Sequence, residues 1–583
     1  PPGGRKEPFM SVKESYAGKI NRKLNKKLHV IDVAAGRAPA DLVLKNATFV
    51  NVFSNELSTM DIAVTEGLIV GMGSYHGKTE VDCTGKIVLP GFLDAHIHLE
   101  SSLVSPTEFV KAVLPHGTTT VITDPHEITN VMGTDGIEYM LQATEGLPVD
   151  VRFMLPSCVP ATPLDESGAI LDYRAIDSFY DHPRVQGLAE LMNFVGAING
   201  DEQTVEKIVA AQAHHKKIDG HAPDLVDNDL NAYIAAGVYS DHECHDINDA
   251  LTKLERGQFI MIREGTAARN LDALMPLLSS QYADRCMFCT DDKHLATIAA
   301  EGHISYIVRM ARRLDFGWGE TARMASWNPC RFYGLEDRGN VREGYVADLV
   351  VTDDACNRIV YVIKDGRLVA AEGRLTGTTG CGAAPRRDFP NTVRFREMHA
   401  ADFTLPDTMK KVAIELVEGQ LLTRKTPLAD GEWRGLTRLA TVERHGRNGN
   451  IAVCMLKGYG IRNGAVATSV SHDAHNVVCA GDNAADMAVA CNRLRELGGG
   501  YTIASGGRIV GELPLPAYGL MSAENAATVA ETIHHLEKQA HAMGVNRRID
   551  AFTTLSFVAL PVIPSLRLLD TGLYDVDESR FIR

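Results

Sequence analysis

Two histidines separated by one residue, His96-Ile97-His98, follow the apolar run PGFLDA. On a strand, alternate residues point to the same side, so both imidazoles can reach one metal ion while Ile97 faces the other way. Further histidines end two other strand-like segments, His221 in KKIDGHAP and His242 in GVYSDHECH, and Asp291 lies in RCMFCTDDKH. Neutral imidazoles with a carboxylate suit Zn, Fe(II) or Mn(II) better than the lighter, oxygen-preferring ions. Glu190, in VQGLAELMNF, falls between the first pair and His221. A carboxylate there can bridge two ions about 3.5 to 4 Å apart, completing a two-metal site of four histidines and two acids. Singly, each of these residues is equally at home as a satisfied core or surface group. Their shared place at the tips of successive strand-like runs joins them into one site.

Eight such runs lie between Ile87 and about Tyr333: IVLPGFLDAHIH, TTTVITDPHE, VRFMLPS, VQGLAELMN, KKIDGHAP, GVYSDHECH, QFIMIREGT and RCMFCTDDKH. Each precedes a longer helix-compatible stretch, the rhythm of parallel strands with crossover helices. Eight units predict a (β/α)8 barrel whose active site sits at the C-terminal strand ends. Residues 40–86 and 339–374 alternate like short antiparallel strands, and the two pieces are expected to form one small β-sandwich domain beside the barrel. TGTTGCGAAP, residues 376–385, reads as a linker. The expected fold is α/β. Residues 1–86 hold an N-terminal segment and the first part of the small β domain, 87–335 the barrel, 336–380 the second part, and 385–583 a C-terminal α+β domain.

The 583 residues carry 59 Lys+Arg against 74 Asp+Glu, a formal charge of −15. That balance argues against an extended nucleic-acid surface, which needs clustered cations. No apolar run reaches the roughly 18 residues of a membrane span. Eleven cysteines scattered through a chain too large to need disulfides predict reduced thiols and a cytoplasmic location. PPGGRKEPFM at the start lacks the apolar stretch of a secretory signal, and GKINRKLNKKLH (18–29) reads as a solvated helix face.

Other motifs point away from competing chemistry. Cys286-Met287-Phe288-Cys289 has redox spacing, but an i, i+3 pair on a strand points to opposite faces. The Pro-Cys-x-x-Cys of zinc cytidine-type deaminases is missing, since Pro329-Cys330 continues as Arg331-Phe332-Tyr333. Gly498–Gly500 and Gly506-Gly507 lack a P-loop lysine and read as turns.

PGFLDAHIHLESS, TTTVITDPHEITN, GLAELMNFVG, DGHAP, SDHE, IREGTAARNL, CTDDKH and ATSVSHDAHNVVCAG together resemble the amidohydrolase superfamily and, within it, the adenine deaminases. The likeness runs from the flanking β pieces and barrel into the C-terminal region. Dihydroorotases and hydantoinases bridge their metals with a carboxylated lysine on the fourth strand, where this chain has Glu190. Adenosine deaminases share the first-strand His pair and the Thr-Asp-Asp of the eighth strand but usually lack the flanking and C-terminal domains. The free base is thus implied over the nucleoside.

The resemblance implies hydrolytic deamination of adenine to hypoxanthine and ammonia by a metal-activated hydroxide, in purine salvage. Its partner is a small purine base, with neither nucleic acid nor membrane involved, and the chain is a homo-oligomer. Two divalent ions, Mn(II) or Fe(II) ahead of Zn, would be held by His96, His98, Glu190, His221, His242 and Asp291. Asp291 would also take the proton of the attacking water. Glu264 in IREGT, with His126 and Glu127 after the second strand, would contact the ring and deliver protons. Asp292 would orient Asp291 or touch substrate. His472, Asp473 and His475 would lean over the barrel mouth to contact substrate or bind another metal. The competing readings are a cyclic-amide hydrolase, a deaminase of adenosine or another aminopurine, and a binding protein that keeps the barrel without catalysis.

Overall fold

The computed structural model describes residues 16–582 apart from 165, 378, 380 and 382–387. Most of the expected linker lies outside the described residues.

Eight strands form the barrel: Phe92–Ile97, Thr118–Thr123, Asp150–Leu155, Val185–Leu191, Lys217–Gly220, Ser240–Asp241, Phe259–Arg263 and Cys286–Cys289. The first five pair in parallel in sequence order, as do the last three. The fifth meets the sixth where Gly220 N donates to Ser240 Oγ at 3.2 Å. The eighth returns to the first where Asp291 N donates to the His96 carbonyl at 2.9 Å, which closes the ring. Each predicted run overlaps one of these strands. Burial on both faces makes them near-continuous apolar runs. On the eighth, Met287 and Cys289 enter the interior cluster with Leu93, Ala95, Met154 and Ala189. Cys286 and Phe288 pack outward, so the CxxC cysteines do face opposite ways.

The first run divides where the sequence reads as continuous. Ile87–Pro90 belongs to the flanking sheet, antiparallel to Leu349–Thr352, and the barrel strand begins at Phe92. Gly91 separates them, and a Cβ there would overlap Thr119 Oγ1. The flanking strands from both sides of the barrel form one continuous nine-stranded sheet, with Leu44, Phe49, Ile62, Val88, Leu349 and Val351 in its core.

Beyond the barrel, an eight-stranded sheet runs between Val412–Leu416 and Arg508–Pro514, accompanied by helices Ala484–Leu497 and Ala526–Ala542. Hydrogen bonds to main-chain carbonyls seat this region on the barrel mouth: Ser522 N donates to the Leu103 carbonyl at 2.8 Å. Arg447 Nη2 donates to the Gly168 carbonyl at 2.7 Å. These contacts bring the polar loop 471–476, buried throughout, over the strand ends.

Candidate active site

Glu190 stands at the end of the fourth strand and is 3% exposed. Its two oxygens face different histidine pairs. Oε1 lies 3.2 Å from His98 Nε2 and 3.6 Å from His96 Nε2. Oε2 lies 2.8 Å from His221 Nδ1 and 3.2 Å from His242 Nε2. Asp291 adds Oδ1, at 3.1 Å from His98 Nε2 and 3.7 Å from His96 Nε2. The six residues singled out as metal ligands are therefore brought around one point. Asp291 adopts φ +58, a left-handed conformation tolerated by aspartate.

The donor set fits a pair of divalent ions. Buried imidazole nitrogens normally find hydrogen-bond partners, yet His96 Nε2 and both nitrogens of His242 have none among the described residues. The two Nε2 atoms approach neighbouring carboxylate oxygens closely without hydrogen-bond alignment, the arrangement of groups converging on a shared cation. His98 Nδ1 meets the Asp124 carbonyl at 3.0 Å; donation there leaves Nε2 with its lone pair toward the site. His96, His98, Asp291 and Glu190 Oε1 would hold one ion, and His221, His242 and Glu190 Oε2 the other.

Charge tells the same story. Burial pushes the Glu190 carboxyl up, but the imidazoles of His221, His242, His96 and His98 gathered around it hold it well below the usual range. Burial works likewise on Asp291, where His96, His98 and Arg263 prevail and hold it low. Burial pulls the His96 ring down, but Asp291 and Glu190 lift it to about 10. Without metal, protons must supply the positive charge that these carboxylates demand.

Arg263 and Glu243 were not singled out from the sequence. Arg263 Nη1 donates to Asp291 Oδ2 at 2.7 Å, and Nη2 donates to Glu243 Oε2 at 3.0 Å. Glu243 Oε1 lies 3.4 Å from His242 Nε2. The available signals were adjacency in His242-Glu243 and strand alternation, since Arg263 follows the interior Met261 by two positions. Glu264 is not brought to the ligand set: its carboxylate accepts from Arg269 Nη1 and Leu271 N, each at 3.3 Å. Burial pushes its carboxyl up to about 6. Asp292 accepts from the Ser101 hydroxyl and lies 3.9 Å from His472 Nε2.

The remaining predicted residues form a second group beside the first. His126 Nδ1 is 2.8 Å from Asp124 Oδ2 and 3.4 Å from Glu190 Oε1. Its Nε2 faces Glu127 Oε1 at 3.2 Å and Asp473 Oδ1 at 3.8 Å. His472 Nδ1 lies 2.5 Å from Glu127 Oε1, and His475 Nε2 pairs with Glu127 Oε2. Burial pulls the His472 ring down, but Glu127 and Asp292 lift it to about 9.

Comparison with known proteins adds an independent line. A profile described as "Amidohydrolase family" matches residues 87–369, and one described as "Adenine deaminase C-terminal domain" matches 417–580. "Adenine deaminase" of Nitratidesulfovibrio vulgaris (strain DP4) is 44% identical over 559 residues, covering 94% of this chain and 97% of that protein. "Adenine deaminase" of Kosmotoga olearia is 43% identical over 572 residues, covering 95% and 98%. "Adenine deaminase 2" of Carboxydothermus hydrogenoformans is 42% identical over 560 residues, covering 94% and 97%.

Proposed function

The chain belongs to the adenine deaminases of the amidohydrolase superfamily, and from that premise we propose that it hydrolyses the exocyclic C6–N bond of adenine, releasing hypoxanthine and ammonia. The observation that carries this reading is Glu190, whose two oxygens each face a separate histidine pair. A carboxylate bridge, in place of a carboxylated lysine, separates this centre from the cyclic-amide hydrolases. Hypoxanthine formation assigns the enzyme to purine salvage.

Bound at such a site, divalent ions acidify water and so supply a nucleophile at neutral pH. The protein's own groups do the rest. Asp291 presents Oδ1 toward the reacting centre because Arg263 occupies Oδ2. It accepts one proton of the attacking water as the C6–O bond forms and returns it to the departing amine as the C6–N bond breaks, while the proton left on the new hydroxyl passes to the ring nitrogen, so that water and adenine balance against hypoxanthine and ammonia. Asp292, held by Ser101, contacts the purine ring together with His472 across the barrel mouth. Glu264, engaged by Arg269, supports the seventh strand tip rather than delivering protons. The nitrogen–oxygen donor set, free of thiolate, is compatible with Mn(II) or Fe(II), which we rank ahead of Zn.

The same reading makes the enzyme a cytoplasmic homo-oligomer. Its eleven cysteines are free, ten of them buried, as suits a reducing compartment. No helix among the described residues is long and apolar enough to cross a membrane. Ile20, Leu24, Leu28 and Ile31 are half-exposed on helix Tyr16–Ala34, an apolar stripe suited to pairing between copies. Light scattering on the full chain tests that point, a monomer at micromolar concentration overturning it.

The activity is tested by ammonia release from adenine, with adenosine and dihydroorotate in parallel, on protein reconstituted separately with Mn(II), Fe(II) and Zn. Turnover of adenine alone supports the assignment. Ring opening of dihydroorotate, or deamination of adenosine in preference to adenine, overturns it.

A further inference from the structure

His126 joins two groups of ligands. Its Nδ1 meets the Asp124 carboxylate at 2.8 Å, and since an ionised carboxylate only accepts, the ring N–H lies on that side. Nε2 of that ring points toward two carboxylates, Glu127 Oε1 at 3.2 Å and Asp473 Oδ1 at 3.8 Å. Those two anions call for a positive charge between them, which a second ring proton supplies in the metal-free protein and a bound cation would supply in its place.

The neighbours narrow the choice. His475 Nδ1 accepts from Ser471 N at 3.1 Å, so its Nε2 carries the proton and donates to Glu127 Oε2. That leaves Glu127 Oε1 unused. Glu127 Oε1 and Asp473 Oδ2 are both buried without a hydrogen-bond partner among the described residues, in side chains 1% and 2% exposed. His472 Nδ1 approaches Glu127 Oε1 to 2.5 Å, again without hydrogen-bond alignment. His126, Glu127, His472 and Asp473 each offer one ligand atom, and the four lie within 4.8 Å of one another. The same signature, close ligand atoms with orphaned nitrogens or oxygens, marks the centre around Glu190.

We propose that His126, Glu127, His472 and Asp473 form a further divalent-cation site, distinct from the pair bridged by Glu190 and completed only when the C-terminal domain closes on the barrel. Two imidazoles and two carboxylates are a donor set for a first-row ion of the Zn, Mn(II) or Fe(II) class. Asp124 supports His126 from behind, as carboxylates commonly do for metal-binding histidines. The site ties residues 472 and 473 to the second barrel strand tip, so the cation acts as a clasp between the two regions. This inference rests on the ligand geometry and does not require the deaminase reading.

The test counts metal on the full chain. Metal-free protein is loaded separately with Zn and Mn(II), freed of excess ion, and analysed by mass spectrometry of the elements, alongside Asp473→Asn and Glu190→Gln. The expected counts are three ions in the wild type, two in D473N and one in E190Q. A second readout is the thermal midpoint: chelator should lower it less in D473N than in the wild type, because that variant has lost its clasp. If D473N impairs folding, His472→Phe, which preserves the ring stacked on Phe557, replaces it. Equal counts in the wild type and in folded D473N or H472F overturn the proposal and leave protons between the four groups. A fall from two ions to one in D473N supports this site while removing one ion from the pair around Glu190, so the two readings fail separately.

Discussion

The guanidinium of Arg263 bonds the far oxygen of Asp291 at 2.7 Å, and this single contact decides which carboxylate oxygen faces His96 and His98. With Oδ2 engaged and Oδ1 at 3.1 Å from His98 Nε2, the carboxylate cannot turn without breaking a charge-assisted bond. Arg263 also reaches Glu243, so one cation orients Asp291, the acid proposed to accept the proton, and a carboxylate beside His242.

Arg263→Lys keeps the charge but loses the planar fork that spans both partners. Turnover on adenine should fall by about 10²-fold. Because lysine keeps the positive charge that helps hold Asp291 low, the acid limb of kcat/KM should stay where it is while the rate falls. An unchanged rate in a folded R263K protein would show that Asp291 is oriented by the imidazoles alone.

Glu190→Gln keeps the size of the side chain and removes the charge that both histidine pairs share. Elemental analysis should find metal lost from the pair, with turnover lower by about 10³-fold or more. Wild-type metal content and rate in E190Q would transfer the bridging role elsewhere.

Metal uptake should release protons. In the metal-free site Asp291 and Glu190 lift His96 to about 10 against the pull of burial, so its ring is protonated at neutral pH and must lose that proton to bind an ion. Affinity should rise with pH between about 6 and 9. Calorimetry in buffers of different ionisation enthalpy reads the protons directly; a heat of binding independent of buffer would contradict the arrangement.

The barrel is legible because strands covered on both faces are written as apolar runs, each closed here by polar tips. Alternation then locates some of the site but misleads for the rest. Met261 and Met287 are interior, and stepping by two reaches Arg263 from the first and Cys289, then Asp291, from the second. The same rule fails at Ala95 and Ala189: both are interior, yet His96 and Glu190, one residue on, also enter the site. On the first strand the pairing register shifts between Asp94 and Ile97, so strict alternation is interrupted where His96 stands. No pattern of residue types announces such a shift. The contact between Glu127 and His475, 348 positions apart, is likewise set by how the C-terminal sheet docks, which no local periodicity reports.

Acid should loosen the loop over the barrel mouth through His445. Its Nε2 meets the Ala474 carbonyl at 2.7 Å, beside His475, and burial together with Arg444 pulls the ring from an ordinary 6.5 down to about 3. Above pH 6.5 the ring is neutral in both folded and unfolded chains, and its contribution is fully present. As pH falls the unfolded chain binds the proton first, so stability is lost progressively down to about pH 3, at no more than ~1.4 kcal/mol per pH unit. His445→Gln retains a donor toward Ala474 and removes the titration. Urea unfolding of both metal-free proteins at pH 7, 6, 5 and 4 should therefore show the wild type losing its lead over H445Q as the medium becomes acid. Parallel pH profiles for the two proteins would mean that the His445 ring gains its proton without cost in the folded state, and that the loop's acid sensitivity lies with another group.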